Sequence, residues 1–149
     1  MITAKTVWTE KMMLTGEASG FTVPLDAKSP IGNGSAMTPK ELVALGVCGC
    51  TAMDVLALLR KHKQPLESFD VSVDVETTEK THPIVFKSLA LTFTLTGNID
   101  KDKVIESVEL SQTKYCGVSA MIVKAAPIHY KIILNGEEIG SGEAHYEDN

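Results

Sequence analysis

Apolar residues along this chain follow two periods, and the switches between them mark the elements. Phe69, Val71, Val73 and Val75 alternate with Asp70, Ser72, Asp74 and Glu76, and Leu89, Leu91, Phe93 and Leu95 alternate with Ala90, Thr92, Thr94 and Thr96. Period-two alternation this regular predicts strands with one buried and one solvated face, hence an antiparallel sheet. Shorter runs at Ile2–Trp8, Met12–Gly16 and Phe21–Asp26, separated by polar or glycine breaks, predict a meander. The turn formers of Ala27–Ala36 predict a loop after it.

From Thr38 the period changes. Threonine can accept free backbone N–H groups, Pro39 suits the first helical position, and Glu41 completes a capping box. The residues that follow predict a helix from Pro39 to about His62, with Arg60, Lys61 and His62 at its negative end and Pro65 as the stop. Asp100–Lys103 opens a second helix whose apolar positions are Val104, Ile105, Val108 and Leu110, and a short third helix starts near Cys116 and ends before Pro127. Asn135–Gly136 predicts a closing hairpin. Strands, long helix, strands, helices and strands together read as an α+β domain spanning residues 1–149.

Composition narrows the function classes. With 149 residues, 44% hydrophobic and 22% charged, the chain has the balance of an ordinary globular domain. Its net charge of -5 gives no general attraction to nucleic acid or to anionic membranes. The single arginine, Arg60, nearly excludes phosphate grips and carboxylate clamps built on guanidinium groups. Leu42–Leu59 is about as long as a membrane span, but Asp54, Gly46 and Gly49 interrupt it, and a helix buried in a soluble protein is expected. The N-terminus lacks the apolar core of a signal peptide, and an odd number of cysteines (three) fits poorly with a paired secreted framework, so the cytoplasm is expected.

The candidate chemistry lies in two cysteines. On a helix, Cys50 shares a face with Val43, Gly46, Val47, Met53, Asp54 and Ala57, and these neighbours alone favour a buried structural thiol beside one carboxylate. Cys48 lies on another side of the helix, cannot pair with Cys50 within it, and reads as structural. Cys116, at a helix start beside Lys114, is placed where free N–H groups and the macrodipole would lower a thiol pKa, although a packed cap residue explains it as well. His62 reads as a charge partner at the helix end and His82 as a loop residue; His129 and His145 form no metal-binding doublet. The acidic pairs Glu137–Glu138 and Glu147–Asp148 read as solvated surface, and no glycine-rich nucleotide loop is present.

Thr38-Pro-Lys-Glu-Leu42, Leu45-Gly46, Gly49-Cys50-Thr51, Asp54-Val55 and Tyr115-Cys116-Gly-Val-Ser119 together resemble the OsmC/Ohr family of thiol-dependent hydroperoxide reductases, and more closely its OsmC-like branch. The resemblance implies an OsmC-like fold in which antiparallel sheets wrap a long central helix within an intertwined homodimer. It also implies that Cys50 attacks an organic hydroperoxide and becomes a sulfenic acid. Cys116 would then condense with it to a disulfide, which an external, lipoyl-type dithiol resets with no bound cofactor or metal. Such chemistry serves oxidative-stress defence, and the apolar lining favours alkyl or fatty-acid hydroperoxides.

Two features differ from the family pattern. The arginine that N-terminal strands supply to active members is absent, leaving only Lys5 or Lys11 to supply charge. The family glutamate follows the proline directly, whereas here Lys40 does, so Glu41, carried as the third site residue, is turned by about 100° of helix. Asp54 would oppose a thiolate at Cys50. The alternative is a non-catalytic dimer that binds a small hydrophobic ligand or acts as a redox sensor.

Overall fold

The structure is a computed structural model that describes residues 1–147, so Asp148 lies outside the described residues. It divides into two compact units, Met1–Ala44 and Leu45–Asn149. In the first, β1 (Ala4–Glu10), β2 (Met13–Ala18) and β3 (Phe21–Leu25) form an antiparallel meander in that order. Every residue of β1 is exposed within the single chain, Trp8 among them. The loop after β3 is built on Asp26. Its buried carboxylate accepts hydrogen bonds from the backbone of Ala27, Asn33 and Ser35 and from Ser35 Oγ, which holds its pKa below the ordinary range.

The helix α1 (Pro39–Lys61) begins in the first unit and ends in the second, within a residue of its expected bounds. Its start is the expected capping box: Glu41 N donates to Thr38 Oγ1 at 3.3 Å, and Thr38 N donates to Glu41 Oε2 at 2.8 Å. By length and composition α1 could cross a membrane. Within the second unit, however, it turns Val47, Val55 and Leu59 into the protein core.

That core lies against a four-stranded sheet of β4 (Leu66–Thr77), β5 (Phe86–Gly97), β6 (Ile128–Leu134) and β7 (Glu137–Glu143), ordered as in the chain. The alternation places Leu89, Leu91, Phe93 and Leu95 on the buried face, each at most 1% exposed. The antiparallel expectation holds for β4–β5 and β6–β7, but β5 and β6 run parallel. A parallel neighbour needs a long crossover. Here the crossover is α2 (Lys101–Leu110), a π-helical turn over Ser111–Tyr115 and α3 (Gly117–Ile122). The β6–β7 turn places Asn135 and Gly136 at φ of 50° and 81°, the left-handed region that a two-residue hairpin requires.

Candidate active site

The crossover brings the second cysteine to the first. Cys50 projects from the middle of α1, and Asp54, one turn later, lies on the same face. Cys116 caps α3 directly after the π-helical turn. The two Sγ atoms and an Asp54 carboxylate oxygen lie within 4.8 Å of one another. Cys50 and Asp54 are half-buried, and Cys116 is fully buried.

Ser111 organises the surroundings. Its hydroxyl donates to Asp54 Oδ2 at 3.0 Å and receives Gln112 Nε2 at 3.3 Å. Its carbonyl accepts both Cys116 N–H at 3.0 Å and the Tyr146 hydroxyl at 2.8 Å. The wider π turn gives this carbonyl its bond to the residue five further on, and so ties the cysteine to the carboxylate through a single serine. Burial raises the Asp54 pKa, with the Ser111 hydrogen bond opposing the shift. Burial also raises the Tyr146 pKa, and the charge of Cys116 adds to it.

Cys116 occupies the expected cap and accepts Ser119 N–H at 3.3 Å, but its pKa moves opposite to expectation. Burial pushes the thiol up to about 11; the Ser119 bonds oppose this and the adjacent Cys50 reinforces it. A six-residue helix and the Ser119 bonds do not offset the loss of water around a thiolate. Burial likewise raises the Cys48 pKa; that residue packs against the core, apart from the other two cysteines.

The remaining site candidates have other partners. Glu41 is bound to Thr38 and pairs with Lys28 Nζ at 2.7 Å, which brings its pKa down to about 2. Lys5 pairs with Glu17 at 3.1 Å, and His62 lies 3.8 Å from Glu106. Sequence reasoning missed Ser111, Gln112 and Tyr146, which belong to no recognisable motif, and it met Ser119 only as the end of the Tyr115-Cys116-Gly-Val-Ser119 run, with no role of its own. A cleft of about 890 Å³ reaches Cys116; its lining is mixed, with Leu110, Ala120 and Val123 beside Lys114, Lys124 and Glu147.

The family described as OsmC-like protein matches residues 32–131. Protein YhfA of Escherichia coli strain K12 is 35% identical over 127 residues, covering 84% of this chain and 92% of YhfA. Among solved structures, the OsmC like protein from Mycoplasma pneumoniae superposes with a TM-score of 0.79 at 13% identity, over 90% of this chain and 96% of that one. An organic hydroperoxide resistance protein OsmC from Legionella pneumophila superposes with a TM-score of 0.67 at 21% identity, over 89% and 96%. These two structural likenesses extend to the fold.

Proposed function

The chain belongs to the OsmC-like protein family, and on that premise we propose that it reduces organic hydroperoxides through Cys50 and Cys116. The observation that supports this most is the approach of both sulfurs and the Asp54 carboxylate to within 4.8 Å. Cys50, half-buried on a regular helix, is the accessible member and attacks the distal peroxide oxygen. Its thiol proton passes to Asp54 and on to the departing alkoxide, so thiol and hydroperoxide become sulfenic acid and alcohol. Cys116 enters as a thiol and condenses with the sulfenic acid, forming an S–S bond and releasing water. Side-chain torsions close the remaining gap to a bond of about 2.05 Å. An external dithiol of lipoyl type then reduces the disulfide and is itself oxidised.

Asp54 takes over part of what the absent arginine would do, by a different route. A guanidinium stabilises a thiolate by charge, whereas a carboxylate with a raised pKa acts by accepting the proton during attack. The cleft beside Cys116 has room for an organic hydroperoxide, with Leu110, Ala120 and Val123 to take an alkyl group among its charged residues. Three free cysteines suit a reducing compartment such as the cytoplasm.

The working form is a homodimer in this reading. Leu45, Met53 and Leu56 are 51%, 73% and 43% exposed along one stripe of α1, and at Gly49 between them a side chain would meet nothing within 4 Å. An uncovered apolar stripe of this kind suits a second copy of the same helix. Light scattering should give twice the chain mass and a monomer for Met53→Glu; a monomeric parent chain would exclude the dimer. Steady-state turnover of cumene hydroperoxide with dihydrolipoamide tests the activity. Turnover of Cys50→Ser equal to that of the parent protein would exclude it.

A further inference from the structure

The same three side chains make a second kind of site. We infer that Cys50, Cys116 and Asp54 form a three-donor site for a thiophilic divalent cation of the Zn²⁺ class, with a fourth position open. Two sulfurs and one carboxylate oxygen are the donor set such an ion prefers over harder cations. All three donor atoms lie within 4.8 Å of one another. A tetrahedral ion with Zn–S bonds of about 2.3 Å places its sulfurs about 3.7 Å apart, so the donors need close by only about 1 Å.

Two independent features point the same way. Among the described residues no lysine, arginine or histidine forms an ion pair with Asp54, so no side-chain cation already occupies the carboxylate. Around it, Gln112 Oε1 is fully buried and has no hydrogen-bond partner. Gln112 also donates its Nε2 to the Ser111 hydroxyl that holds Asp54, so this unpartnered oxygen belongs to the same network as the donors. The Ser111 hydroxyl already orients the carboxylate, as an outer partner does in established metal sites.

Zinc binding and disulfide formation draw on the same sulfurs and exclude each other, but the ion requires no peroxide chemistry. The test uses the full reduced chain and Zn²⁺ in competition with a chromophoric chelator. One Zn²⁺ per chain is expected, with Cys50 and Cys116 protected from alkylation in proportion to occupancy while Cys48 remains reactive. Asp54→Asn should weaken binding about tenfold or more, and Cys50→Ser more strongly, with circular dichroism confirming that each variant is folded. In the parent chain, Co²⁺ should give thiolate-to-metal absorption that Cys50→Ser removes. Binding equal to that of the Cys50→Ser variant, protection of Cys48 instead, or no effect of Asp54→Asn would overturn the assignment. Failure of peroxide turnover would leave each of these readouts intact, so the two proposals stand or fall separately.

Discussion

Cys50 and Cys116 are near neighbours in oppositely built settings. Cys50 stands on a regular 23-residue helix, half-buried, with an uncovered apolar stripe along the same helix. Cys116 stands where a helix breaks: a π turn feeds it into a cap, its N–H and Sγ are both hydrogen-bonded, and no surface remains exposed. The difference teaches a division of labour. In the proposed mechanism the regular helix presents the thiol that a substrate would reach, and the broken one holds the second thiol protonated and buried for the sulfenic acid that would form beside it.

Exchanging each cysteine breaks the comparison most directly. Cys50→Ser should lower turnover about 10³-fold or more, to the background rate. Cys116→Ser should still consume one equivalent of peroxide per chain and leave a sulfenic acid trappable by dimedone. Equal behaviour of the two variants would dissolve the distinction. Next in size is Asp54→Asn, expected to lower kcat/KM about 10²-fold, because the amide still accepts from Ser111 but takes no proton. Unchanged kcat/KM would remove Asp54 from the chemistry.

A smaller effect separates the two thiols by pH. With its pKa raised to about 11, Cys116 should react with iodoacetamide at a rate that climbs about tenfold per pH unit until near that value. The sign for stability follows from linkage. The unfolded thiol ionises near 8.5 and the folded one does not, so the stabilising contribution is complete below about pH 8.5 and is lost as pH rises towards 11. A plateau in Cys116 alkylation near pH 8.5 would show that burial does not control it.

The smallest effect is expected at Glu41. Its folded pKa of about 2 lies below the ordinary 4.5, so its contribution is present above 4.5 and is lost as pH falls towards 2. Glu41→Gln should reduce stability at pH 5 more than at pH 2.5 in urea unfolding and leave turnover unchanged. A large loss of turnover would return Glu41 to the chemistry.

Much of the fold could be read from periodicity, because that signal is local. Alternation at Leu89–Leu95 identified the buried face of β5, and Thr38-Pro39-Lys40-Glu41 located the start of α1 to the residue. Alternation does not identify which strand lies alongside, so the parallel β5–β6 pairing had no signature. The site was half legible. Cys50 and Cys116 were identifiable as candidates, and Cys116 was expected at the start of the third helix, where it is the cap. The direction of its pKa shift was not legible, because a cap is local and burial is not. Nor could sequence show that Ser111 would link Asp54, Cys116 and Tyr146, since that depends on a π turn set by the crossover packing.

One measurement bears most directly on the thiol pair. The reduced chain is treated with one equivalent of cumene hydroperoxide, alkylated, digested and mapped by mass spectrometry. The mechanism predicts a single Cys50–Cys116 disulfide, two thiols lost together and Cys48 recovered fully alkylated. Three alkylated cysteines, or a disulfide involving Cys48, would contradict it.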